Sequence, residues 1–222
     1  MDARAWKISE TMKTRKIDNF KTWRDEQKRL GLMKSAYPLL QRSGDLAELI
    51  GVVLGDGHIG KHPRCESLRI VGSGNNPGFS ERYAALVERI FEKKPHVALR
   101  SRVNAINITV YQKGIAQRLD IPSGSRANHD FTLPKWIEDN RGHKLRFLRG
   151  LYEAEGSVSH HKETYTHKFE FANKNPALLN VVFQLVSELG FHPHRSKFKV
   201  QVSRKEEVQN LPDLLQFRRY EQ

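Results

Sequence analysis

Two segments hold the residues best suited to chemistry. The first is Leu46-Ala47-Glu48-Leu49-Ile50-Gly51-Val52-Val53-Leu54-Gly55-Asp56-Gly57. The second is Leu145-Arg146-Phe147-Leu148-Arg149-Gly150-Leu151-Tyr152-Glu153-Ala154-Glu155-Gly156. Both read as helices that end in a carboxylate followed by glycine. An acid at a helix C-terminus is electrostatically misplaced, because the dipole there is already negative. Two such acids at the ends of crossed helices would also repel each other. A divalent cation would relieve both problems. Hard cations take oxygen ligands, and magnesium typically uses one or two protein carboxylates beside phosphate oxygens. The pattern therefore points to a divalent-cation site with room for phosphate oxygens.

The helices must bring the acids together. Gly51 and Gly55 are four residues apart, as are Gly150 and Ala154. Small residues at that spacing line one face and let two backbones approach closely. Glycine inside a helix costs about 1 kcal/mol against alanine, so it needs a packing reason. Gly57 and Gly156 fit the left-handed stop of a helix.

The segments belong to a longer repeat. Shifted by 99 positions, Leu46 meets Leu145, Leu49 meets Leu148, Gly51 meets Gly150, and Asp56 meets Glu155. Asn76-Pro77 then meets Asn175-Pro176, and Leu86-Val87 meets Leu185-Val186. Each half predicts the order α-β-β-α-β-β-α. Strands are expected at Ser67 to Ser73 and Lys168 to Asn173, followed by amphipathic helices that open on proline. Further strands follow from the alternation of Ile106, Ile108 and Val110, and of Phe198, Val200 and Val202. The expected division is an arm over 1–45, a first half over 46–122, a connector over 123–144 and a second half over 145–222.

These residues resemble the LAGLIDADG family of homing endonucleases in its single-chain, two-motif form. The resemblance implies an α+β fold: two αββαββα halves related by a pseudo-two-fold, motif helices packed at the centre, and two saddle-shaped antiparallel sheets lying in the DNA major groove. It implies metal contact from Asp56 and Glu155 and from the carbonyls of Gly55 and Ala154, with Mg²⁺ or another divalent ion such as Mn²⁺. The second motif departs from the family name in carrying Glu155 rather than aspartate. A basic residue near each phosphate would complete such a site, and matching strand ends offer Lys113 and Lys205, with Gln112 and Arg204 beside them. By alternation Ser67, Arg69, Asn107, Thr109 and Tyr111 face the groove from the first half, with Arg100 and Arg102. Lys168, Lys197, Lys199, Gln201 and Ser203 do so from the second. Side chains of these types match base edges or hold phosphates.

Composition agrees with a polyanionic partner. The 222 residues include 38 Lys and Arg against 25 Asp and Glu, a net charge of +13, which favours nucleic acid. The arm holds 11 Lys and Arg against 6 Asp and Glu, with short helices expected over Ser9 to Lys16 and Lys21 to Leu30. Cys65 is the only cysteine, which excludes an intrachain disulfide and a cysteine zinc cage. The histidines (His160-His161, His192, His194, His58, His62) lack zinc-site spacing. No apolar stretch approaches a membrane span, and no secretory leader is visible. The expectation is an intracellular, intron-encoded monomer, cytoplasmic or organellar, that cuts double-stranded DNA. The alternatives on the same fold are a maturase acting on its own intron RNA and a non-cleaving DNA-binding regulator.

Overall fold

The first motif helix starts where Ser43 accepts a hydrogen bond from the Leu46 amide at 3.2 Å, a side-chain cap for an otherwise unpaired N–H. This helix and its counterpart organise a computed structural model that describes residues 3–15, 17–31, 34, 36–126, 129–161 and 166–220. Lys16, the last residue of the first expected helix, lies outside them. The chain divides into two units, Met1–Pro38 and Leu39–Gln222. Ser43 caps the first motif helix, which begins at Gly44. The first unit holds α1 (Ala3–Thr14) and α2 (Lys21–Arg29), with Gly31 in the left-handed region just past α2.

In the second unit the first half runs α3 (Gly44–Asp56), β1 (Gly57–Lys61), β2 (Glu66–Ser73), α4 (Pro77–Phe91), β3 (His96–Arg100), β4 (Ala105–Gln112) and α5 (Ile115–Leu119). A connector with α6 (Lys135–Glu138) follows. The second half runs α7 (Arg141–Glu155), β5 (Gly156–His161), β6 (Thr166–Ala172), α8 (Pro176–Glu188), β7 (His194–Arg195), β8 (Lys199–Val202) and α9 (Lys205–Leu214). Each half forms a four-stranded antiparallel sheet, in the orders β1-β2-β4-β3 and β5-β6-β8-β7. Equivalent asparagines start the second helix of each half: Asn76 accepts from the Phe79 amide, and Asn175 from those of Ala177 and Leu178.

Alternation places one face of each sheet on the core. Leu68, Ile70, Ile108 and Val110 are buried in the first, and Phe169, Phe171, Val200 and Val202 in the second. Tyr152 of α7 stacks on Phe169 with ring centres 4.5 Å apart. The connector joins this core through Phe131 and Ile137. Three local expectations change. Phe198 lies in the bend before β8 and is 49% exposed. Arg102 lies in a single 3₁₀ turn, Ser101–Val103, beyond β3. Gly57 and Gly156 are extended, with φ of −85° and −86°, because β1 and β5 begin at once. Glycine is needed there for space: a methyl group on Gly57 would lie 2.5 Å from Val53 Cα, and one on Gly156 2.4 Å from the Tyr152 carbonyl oxygen.

α3 and α7 meet backbone to backbone. A methyl group on Gly51 would lie 2.3 Å from the Phe147 carbonyl oxygen, and one on Gly150 2.1 Å from that of Glu48. A helix main chain cannot give way as a side-chain tip can. Gly150→Ala is therefore expected to cost about 3 kcal/mol through overpacking. Gly142→Ala, in the first turn of the same helix, should change stability by less than about 1 kcal/mol. Urea unfolding of the two variants checks the difference.

Candidate metal centre and nucleic-acid interface

Asp56 and Glu155 are the last residues of α3 and α7. The helix contact continues to their doorstep: a methyl group on Gly55 would lie 2.5 Å from Ala154 Cβ and 3.1 Å from Glu155 Cγ. Surrounding protein, and secondly the Glu155 charge, push the Asp56 carboxyl up to about 7. Burial raises Glu155 as well. Asp56 also has an open flank, through which water and a cation can reach its carboxylate. Two acids that resist ionisation beside two negative helix ends form a donor set suited to a hard cation. Helix-end carbonyls lack intrahelical partners, so those of Gly55 and Ala154 are donors of the same kind. Among the described residues no three His, Cys, Asp or Glu side chains cluster as a metal cage.

A cleft of about 550 Å³ opens beside this point, lined among others by Gly55, Glu155, Arg126, His129, Lys174 and Lys199. Arg126 was not anticipated. Its Nη2 donates to the Val53 carbonyl at 2.8 Å and also to the Gly57 carbonyl. It thus places a cation against the negative end of α3. Its Nε and Nη1 are buried and have no partner among the described residues, and burial lowers its pKa. It comes from the irregular connector, where no periodicity or motif marks it.

The cations expected from the strand ends are elsewhere. Gly57 pairs with Ile70, and Ile70 with Ile108. Lys113 is five residues beyond Ile108, about 17 Å along the sheet. Gly156 pairs with Phe171 and thence with Val200. Lys205 is likewise five residues further on, where it opens α9. Neither is brought to the acids; both are exposed.

The open sheet faces carry most of the remaining candidates. Arg69, Arg100 and Tyr111 are exposed on the first. Ser67 and Thr109 share that face but are buried by neighbours. Ser67 pairs with His62 Nε2 at 2.9 Å. Asn107 is half-buried, and its Oδ1 has no partner among the described residues. Gln112 turns the other way, with the parity of Val110. It is buried, donates to the Phe91 carbonyl at 3.2 Å and accepts from Arg118, so it belongs to the core rather than the groove face. On the second sheet Lys168 and Gln201 are half-buried and Lys199 is exposed. Lys197 lies in the bend before β8, over the Phe198 ring at 5.1 Å. Ser203 and Arg204 are exposed past the end of β8, and Arg204 is 3.5 Å from Glu207. Arg102 is exposed in its turn. Glu170, which strand alternation could have found, also lies on this face.

Residues 142–218 match a family model described as a LAGLIDADG-like domain. No curated protein matches the chain. Among solved structures, the homing endonuclease I-DmoI in complex with DNA and Mn is 19% identical, with 78% of this chain and 96% of that one covered and a TM-score of 0.51. The N-terminal LAGLIDADG domain of WhiA is 14% identical over 80% and 83%, with a TM-score of 0.54. The homing endonuclease I-LtrWI bound to target DNA is 12% identical over 78% and 84%, with a TM-score of 0.51. These likenesses establish the fold: mixed helix and strand, with two four-stranded antiparallel sheets.

The raised Asp56 carboxyl has a consequence for stability. A carboxyl whose pKa is higher in the folded than in the unfolded chain binds more protons when folded, so its ionisation opposes folding. Metal-free stability should fall as pH rises from the unfolded value of 3.8 towards about 7. Asp56→Asn should remove that part of the fall. Urea midpoints at about pH 5 and about pH 8, in EDTA, check this; equal slopes for wild type and variant refute it.

Proposed function

We propose that the protein is a site-specific endonuclease that hydrolyses both strands of a DNA duplex with divalent metal. The observation that carries this reading is the meeting of Asp56 and Glu155 at two abutting helix ends, each resisting ionisation, beside a cleft lined by cations. Asp56 and Glu155, with the Gly55 and Ala154 carbonyls, would hold the metal. When bound, Mg²⁺ or Mn²⁺ supplies a Lewis acid and lowers the pKa of a coordinated water.

The chain's own groups supply the rest. Arg126 occupies the carbonyls at the end of α3 and offsets charge beside the acids. Lys174 and Lys199 face the same cleft and suit the phosphates on either side of a scissile bond, which Lys113 and Lys205 are too distant to reach. Two sheets on one chain supply a binding face for each half of a target, so a monomer suffices. A duplex partner also accounts for the net charge of +13. Among the described residues no helix is long and apolar enough to cross a membrane.

The test uses the sequences flanking this gene's insertion point, joined as a duplex. Wild-type protein should cut both strands in Mg²⁺ and neither in EDTA. Asp56→Asn should bind the duplex and cut it at least roughly a hundredfold more slowly, the scale expected when charge stabilisation is lost at a reacting phosphate. Undiminished cutting by Asp56→Asn overturns the assignment of the acid. Tight binding by wild type with no cutting overturns the nuclease reading in favour of a non-cleaving regulator or a maturase.

A further inference from the structure

The two sheets have equivalent rows with opposite charge. In the first hairpin Gly57 pairs with Ile70 and His58 with Arg69. In the second Gly156 pairs with Phe171 and Ser157 with Glu170. Counted from the residue after each motif acid, Arg69 and Glu170 hold the same place. The 99-residue shift hides this, because it sets Arg69 against Lys168. The second hairpin has one more register pair than the first. The rows continue to Thr109 and His96 in one sheet and to Gln201 and His194 in the other.

Both residues point to the open side. Arg69 is flanked by buried Leu68 and Ile70, and Glu170 by buried Phe169 and Phe171. A carboxylate is out of place on a face that meets phosphates unless it is paired or has a donor to read. Glu170 accepts from Lys199 Nζ at 2.8 Å and from the Ser157 hydroxyl at 3.5 Å, both through Oε1, and its side chain is 17% exposed. Oε2 has no partner among the described residues. In the major groove, glutamate accepts from the exocyclic amine of cytosine, whereas arginine takes guanine O6 and N7.

We propose that Glu170 is a specificity-determining residue that reads a cytosine amine, and that its opposition to Arg69 fixes the orientation of the protein on a non-palindromic duplex. A palindrome would offer the same base to both places, and these two side chains require different ones. Each row starts two residues past a motif acid, so the base pairs concerned lie close to the scissile phosphates. The inference rests on the sheets facing DNA, as in the proposed function.

The full chain is bound, in EDTA, to a library of randomised duplexes, and the retained pool is sequenced for wild type, Glu170→Gln and Arg69→Gln. Melting curves confirm that the variants are folded. Wild type should enrich a non-palindromic consensus. Glu170→Gln should lose a C·G preference of roughly tenfold to a hundredfold at one inner position. Arg69→Gln should lose the opposite preference, G·C, at the matching position of the other half. Replacing the guanine of the Glu170 pair by 7-deazaguanine should leave wild-type affinity unchanged, because the cytosine amine is intact. A drop in affinity there means that Lys199 reads the guanine, and overturns the proposal. So does an unaltered consensus, or a uniform rise in affinity that shows only relieved repulsion. Failure of wild type to enrich any sequence overturns the DNA reading itself, together with this inference.

Discussion

The contact from which the rest of the architecture follows is the meeting of two helix backbones at Gly51 and Gly150. Neither glycine has room for one more carbon, and what each faces is main chain. Because α3 and α7 touch at this depth, their C-terminal ends are driven together at Gly55 and Ala154. The acids that follow then lie near enough for the Glu155 charge to raise Asp56. Each helix also hands its chain directly to the first strand of a sheet, so the hairpins start from the same junction. The site and both open faces are thus anchored to one contact that contains no side chain.

Such close packing brings ionic groups into the core. Glu48 is 0% exposed. It accepts from Arg82 at 2.6 and 2.9 Å and from Arg146, while Arg149 lies 3.7 Å away. Asp45 joins Arg146 and Arg89 at 2.5 Å. A buried carboxylate without partners would cost several kcal/mol. Here the partners come from α4 and from the opposing motif helix, so the ionic cluster crosses between the halves. Isolated from its neighbours, Glu48 reads as a blemish in an apolar helix. Its role emerges only when α7 supplies the arginines.

That pattern explains what was legible in the sequence. The duplicated order, the two motif helices and the glycine contact follow from short-range spacing, and the structure has all three. The helix stops differ from the left-handed glycine that the sequence suggests, because Gly57 and Gly156 are extended and are required by closeness to the preceding turn. Strand parity identified Arg69 and Tyr111 as open-face residues, and the same parity turns Gln112 inward. Matching strand ends point to Lys113 and Lys205, but antiparallel register carries those ends away from the acids. Arg126 left no trace in any pattern, since an irregular connector positions it by tertiary contact alone. Alternation places Glu170 on the open face, but the longer second hairpin breaks the constant shift and hides its equivalence with Arg69.

The segment after α9 ties the interface together. Arg149 donates to Gln216 at 2.7 Å and to the Arg219 carbonyl at 2.5 Å, while Glu153 accepts from the Arg218 amide at 2.6 Å and the Tyr220 hydroxyl at 2.5 Å. Tyr220 in turn receives Asn76 from the first half at 3.0 Å. These links join positions far apart in the chain, and long loops must close before they form. On the ribosome the motif helices emerge well before this segment. Until it arrives, Arg149 and Glu153 lack these partners at the seam between the halves. The central seam therefore gains these hydrogen bonds only after the segment following α9 has been made, later than the two helices that it ties.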